Sequence, residues 1–283
     1  MLVKATAEDI NKYADRVYEL AMDQSKSGYP TYTDGFKTKE DFFKDARESV
    51  TGDTQEILLF FHEGNMEGWI EYFWITEEKY LQLSGCNINV ATEVALTEFL
   101  SLLEEGFAGY SLYFGFPKAN MDAVRFLQEN GFSCIEEDYN NSFFFDAYQV
   151  QDESDKVVRV DAENFEEFRA IHSSLEGEMY WTCDRILDKL DNWKVYLYYE
   201  GSKAVGTIFF TGKGDFLEIF GVEFVEGEFS DERFRALLIT ALNEGKRMEA
   251  KYLTFFCEER EQAVVEEVGF CPVGQYVCYL KEI

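Results

Sequence analysis

The sequence predicts two consecutive mixed α/β units, each a mostly antiparallel sheet flanked by helices. Three observations lead there. The chain has 283 residues, enough for two domains of ordinary size. Its helical and strand-like stretches follow one order in the first half and the same order again in the second. The last helix of each half closes on the same dipeptide, Gly131-Phe132 and Gly269-Phe270.

In the first half, Ile10, Tyr13, Ala14, Val17, Leu20 and Ala21 recur at helical spacing, with Thr6 or a neighbour as cap. A loop rich in Gly, Tyr and Thr follows (27–38), then a second helix, KEDFFKDARES. EILLFF, GWIEYFWIT and YLQLS read as three strands separated by turn chemistry such as HEGN. A helix over 90–105 carries Val94, Ala95, Leu96, Phe99, Leu102 and Leu103 on its apolar positions. The strand YSLYF, the helix before Gly131 and a closing strand, NSFFFDAY, complete this half.

The second half runs in parallel. VDAENFEEFRAIHSSL and CDRILDKLDNW read as helices, and KVYLYYE, AVGTIFFT and FLEIFGVEF as the three strands. A helix over 232–248, the strand YLTFFC, a short helix ending at Gly269 and the strand YVCYL close it. The polar stretch QVQDESDK marks the junction, dividing the chain into 1–149 and 150–283. The repeat is architectural, and the first half carries the longer loops.

Composition narrows the function classes. Asp plus Glu outnumber Lys plus Arg by 55 to 26, a formal net charge of −29. Phosphate neutralisation supplies most nucleic-acid affinity, so this balance argues against nucleic acid and against anionic membranes. It favours cationic small molecules or basic peptides instead. No apolar run reaches membrane-span length and no leader-like segment opens the sequence, so a cytoplasmic location is expected. The six cysteines form no CxxC pair and only two histidines are present. Reduced core thiols and no metal site are therefore expected.

The order of elements, with the stretch KANMDAVRFLQENGF, resembles the GNAT superfamily of acyl-CoA transferases. Asn120, Ala123, Phe126, Gly131 and Phe132 stand where that family places its Asn, Ala, apolar and Gly-Phe residues. Physically, Gly131 is the left-handed residue that ends a helix, and Phe132 turns back into the core. The resemblance implies a tandem pair of GNAT-like domains, with acetyl-CoA as donor substrate. Two departures accompany it. The family's proton-donating tyrosine falls at Leu127. The matching places in the second half are Glu258, Glu261, Val264 and Val265.

The family seats its cofactor diphosphate on bare backbone N–H groups that open the helix after the fourth strand, an anion seat. The corresponding text is SGCNINVATEV in the first half and FVEGEFSDERF in the second. Glu226, Glu228, Asp231 and Glu232 crowd the second loop with like charge, so the second half is expected to be degenerate. The resemblance assigns cofactor binding to Leu83, Gly85, Asn87, Asn89, Val90, Ala91 and Asn120.

Amine acylation needs a polarised thioester carbonyl, a base and a proton for the departing thiol. Glu71 and Glu218, carboxylates lodged in sheet text, are the candidate bases, because burial against aromatics raises a carboxyl pKa. Tyr29, Tyr32 and Phe36 are candidate acceptor contacts through cation–π interaction. His62 and His172 show no sequence-visible partner. The expected activity is acetyl transfer from acetyl-CoA to a small cationic amine or basic peptide. The alternative is a non-catalytic binding or assembly module that kept the fold and lost the cofactor.

Overall fold

In the computed structural model, residues 1–28, 32–173 and 180–283 are described. The strands are β1 (Leu2–Lys4), β2 (Gln55–His62), β3 (Asn65–Ile75), β4 (Tyr80–Ile88), β5 (Ser111–Pro117) and β6 (Ser133–Phe144), then β7 (Val157–Arg159), β8 (Lys194–Glu200), β9 (Lys203–Lys213), β10 (Phe216–Phe224), β11 (Tyr252–Cys257) and β12 (Cys271–Glu282). The helices are α1 (Ala7–Ala21), α2 (Lys39–Ser49), α3 (Thr92–Gly106) and α4 (Met121–Glu129), then α5 (Phe165–His172), α6 (Cys183–Leu187), α7 (Asp231–Arg247) and α8 (Gln262–Glu267).

Local chemistry sets most of these boundaries. Thr6 and Thr38 each form a capping box, with Asp9 and Asp41 as the reciprocal acids. Gly131 and Gly269 have φ of 78° and 108°, and Phe132 N–H and Phe270 N–H reach back to Leu127 O and Val265 O, both at 3.2 Å. That six-to-one bond is the left-handed helix stop expected of each Gly-Phe. The strands β1 and β7 were not foreseen, being only three residues each. The predicted helix CDRILDKLDNW is shorter, reduced to α6 and a 3₁₀ turn at Leu190–Asn192.

The chain forms two compact units, Met1–Asp138 with Val273–Ile283, and Tyr139–Pro272. The first orders its strands β1-β2-β3-β4-β5-β12, antiparallel except for β4 with β5. The second orders its strands β7-β8-β9-β10-β11-β6, antiparallel except for β10 with β11. The two sheets repeat each other strand for strand, but their sixth strands differ from the sequence reading. YVCYL pairs with β5 in the first unit, and NSFFFDAY supplies residues that pair with β11 in the second. The polar stretch 149–156 lies within the second unit, where Asn243 of α7 holds both the N–H and the C=O of Gln151 at 3.0 and 2.9 Å.

Each sheet is covered on both faces. In the first unit, α3 and α4 pack on a core of Leu96, Phe99, Phe114 and Leu127, and α1 and α2 on one of Ile10, Val17, Phe42 and Trp69. In the second, α7 and α8 cover Phe210, Leu237, Phe255 and Val265, and α5 and α6 cover Phe168, Ile186, Trp193 and Phe209. Cys134 and Cys271 are exposed, which corrects the expectation of core thiols for those two. Among the described residues no helix is long and apolar enough to cross a membrane.

Candidate functional site

The backbone makes the site before any side chain does. In the first unit, β4 carries one extra residue, Ser84, between the pairs Leu83–Tyr72 and Gly85–Glu71. Such a bulge bends the strand and increases its twist. The parallel pairing of β4 with β5 is confined to Tyr80–Gln82, so the strands part where the bulge begins. The second unit repeats the device. Phe220 is the extra residue of β10, and pairing with β11 ends at Ile219.

On the α1/α2 face, the first unit brings several predicted residues together. Ser49, the last residue of α2, donates its hydroxyl to Glu71 Oε1. Glu71 Oε2 has no hydrogen-bond partner among the described residues. It lies 3.6 Å from where a side chain would begin at Gly85, as does Asn87 Nδ2. The missing side chain at Gly85 thus leaves a small polar recess directly over the bulge. Desolvation pushes the Glu71 pKa up, opposed by the Ser49 hydrogen bond; Asp45 adds to the rise and Lys37 works against it.

Tyr32 is buried beside this recess. Its hydroxyl donates to Asp45 Oδ2 at 3.4 Å, and its pKa is raised, first by burial and then by the Asp45 and Glu71 charges. Lys37 Nζ stands 2.7 Å from the same Asp45 oxygen and 5.4 Å from the centre of the Tyr32 ring. Phe36 is half-buried in the same loop, its N–H donating to Asp34 Oδ1 at 3.0 Å. Tyr29 lies outside the described residues.

The predicted cofactor residues fall in two places. Gly85 and Asn87 are still strand, because β4 extends to Ile88 rather than ending near Ser84. Leu83 is buried in the core beneath. After the strand, Asn89 Nδ2 donates to Glu67 Oε2 at 2.8 Å, an oxygen that Arg16 also holds at 2.9 Å. Val90 is exposed, and Ala91 takes a left-handed conformation (φ 59°) as the N-cap of α3, with no side-chain cap. The first N–H groups of α3 are therefore uncapped by any side chain. Asn120 is buried. Its Oδ1 accepts from Ala123 N–H at 3.3 Å to cap α4, and its Nδ2 donates to Ser27 O at 3.0 Å.

The second unit is arranged differently. Arg233 Nη1 donates to Glu228 O at 2.6 Å and Glu228 Oε2 at 2.5 Å, and Ser230 caps α7. Side chains of this loop therefore satisfy each other. Glu218 is set into the sheet opposite Thr211 and Thr254, and burial pushes its pKa up to about 7. No Lys or Arg pairs with it among the described residues.

His172, the last residue of α5, is fully buried. Its Nδ1 lies 2.8 Å from Glu223 Oε1 and its Nε2 2.7 Å from Trp181 O. Because the carbonyl only accepts, Nε2 carries a proton and one further proton lies between Nδ1 and Oε1. Glu223 Oε2 is buried without a hydrogen-bond partner among the described residues. No sequence signal pointed to this pair, whose members are 51 positions apart. In the repeat, Glu223 takes the place of Asn87 and Phe209 that of Glu71, since Glu71 pairs with Gly85 and Phe209 with Gly221.

No family model matches the sequence, and no curated protein is significantly similar to it. Solved structures do share the fold. A GCN5-related N-acetyltransferase from Sphaerobacter thermophilus matches with a TM-score of 0.65 at 13% identity, over 100% of this chain and 95% of its own. A tandem GNAT protein from the clavulanic acid biosynthesis pathway matches at 0.54 and 11%, over 100% and 98%. A functionally unknown conserved protein from Staphylococcus epidermidis matches at 0.57 and 12%, over 75% and 90%. At these identities the likeness is one of fold, and it is the tandem arrangement that the repeat predicted.

Proposed function

We propose, from the tandem GNAT fold of this chain, that it transfers an acyl group from a coenzyme A thioester to an amine on the α1/α2 face of its first unit. The observation that carries this reading is Glu71, with one oxygen fixed by Ser49 and the other, above Gly85 at the strand bulge, without a hydrogen-bond partner among the described residues. A carboxylate in that state is a general base. Its raised pKa brings it closer to neutrality, where proton abstraction from an alkylammonium is most effective.

The acceptor is a small cationic amine or a basic peptide. Asp45 and the Tyr32 ring already hold one ammonium, that of Lys37, and the chain's excess of carboxylates draws cations toward it. Acetyl-CoA is the donor that suits the fold. Backbone N–H groups of Leu83–Asn87 would hold the thioester carbonyl, and the uncapped start of α3 at Ala91 would seat an anion. Leu127 is buried and has no proton to give. A proton for the thiol would come instead from the hydroxyl of Tyr276 of β12, which packs on Gly115 of β5.

The second reading is a non-catalytic module. Its specific support is the chain's own segment lying along β4, where Ile88 N–H donates to Lys26 O at 3.0 Å. Acetyl-CoA consumption with a panel of diamines and lysine-rich peptides, measured for wild type and Glu71→Gln, separates the two. Turnover lost by about 100-fold or more in Glu71→Gln supports the base assignment. Turnover unchanged in Glu71→Gln removes it, and no turnover with any amine favours the second reading.

A further inference from the structure

The edge of β4 that β5 abandons has backbone groups to satisfy, and the chain satisfies them itself. Past Gln82 the two strands no longer pair. Three consecutive residues after α1 run beside the vacated edge in the opposite direction. Lys26 O accepts from Ile88 N–H at 3.0 Å, and Gly28 lies so near Cys86 that a Cβ there would come within 2.7 Å of its nitrogen. Between them, Ser27 O accepts from the Asn120 amide at 3.0 Å. The segment therefore bridges β4 to the cap of α4, as a short added strand would.

This fit is close but incomplete. Ser27 is fully buried, and its hydroxyl has no hydrogen-bond partner among the described residues. An unmet buried hydroxyl is a cost that an optimised permanent strand would have removed. Gly28 is required by approach, since any side chain would strike Cys86.

We propose that the edge of β4 at Cys86–Ile88, beside Asn120, serves an extended chain bearing successive amides. Lys26–Gly28 is its resident occupant, and a coenzyme A thioester, whose arm is such a chain, enters by displacing it. This rests on the donor reading above and adds its regulation: donor affinity is set by competition with the chain's own strap. The Asn120 amide and the Ile88 N–H serve whichever occupant is present.

The test uses the intact protein and acetyl-CoA as probe. In wild type, saturating acetyl-CoA should release the strap, increasing hydrogen exchange in residues 23–28. Gly28→Val, with its fold checked by circular dichroism and thermal melting, should bind acetyl-CoA about tenfold tighter or more. The strap's two hydrogen bonds, to Ile88 and Asn120, no longer compete there. Equal affinity in both proteins, with exchange in 23–28 unchanged on binding, overturns the strap and leaves the donor reading standing. No binding to either protein, although Gly28→Val exposes the Ile88 amide to exchange, overturns both. Because the exchange arm needs no substitution, a Gly28→Val variant that fails to fold still leaves a decisive measurement.

Discussion

Glu218→Gln should flatten the pH dependence of stability, and its size follows from burial. The carboxyl sits in the sheet between Thr211 and Thr254, with no Lys or Arg paired to it among the described residues, and burial raises its pKa from 4.5 to about 7. A carboxyl whose folded pKa exceeds its unfolded one binds its proton more tightly in the native state. The stability it confers is full below pH 4.5 and is lost as pH rises through about 7. At 1.36 kcal/mol per pH unit, that rise corresponds to roughly 3 kcal/mol. Gln keeps the shape and cannot ionise, although its amide adds donors that cost about 1–3 kcal/mol if unmet. The absolute stability of the variant is therefore a poor readout, and the difference between the two proteins across pH is the clean one. Urea unfolding at several pH values from about 4.5 to 8.5 measures it. The variant should gain roughly 3 kcal/mol on wild type over that range, with contributions from other titrating groups cancelling. Parallel curves would refute the reasoning, because they mean that Glu218 is solvated or paired in solution.

The two helix stops should respond unequally to alanine. Gly131→Ala meets no atom within 4 Å and should cost about 1 kcal/mol for its left-handed backbone, whereas Gly269→Ala also presses on Phe143 at 3.2 Å and should cost more; thermal melts rank them. Ser49→Ala removes the hydrogen bond that opposes the rise of the Glu71 pKa, so the acidic limb of the activity–pH profile should move upward, and Ser49→Thr should restore it. An unmoved limb detaches Ser49 from the base. His172→Phe strips Glu223 of its buried partner and should destabilise by about 3 kcal/mol, while pairing it with Glu223→Leu should recover part of that loss in a double-mutant cycle.

What the sequence determined by itself was local. Caps, helix stops and periodicity are written within a few residues, so α2, β10 and β11 have the predicted limits and both Gly-Phe pairs end helices with positive φ. Glu71 and Glu218 were visible as carboxylates in apolar strand text, because strand alternation shows which positions face a core. Tertiary structure decided everything that joins distant segments. Two nearly identical sheets offer equivalent edges beside β5 and β11, and no local signal tells YVCYL and NSFFFDAY which one to join. His172 meets Glu223, and Lys26–Gly28 meets Cys86–Ile88, across separations over which composition and periodicity carry no phase. The strand bulge at Ser84 likewise belongs to the pairing of two strands rather than to either one. It re-aims Glu71 and Gly85 toward each other, and that is why the recess exists only in the folded chain.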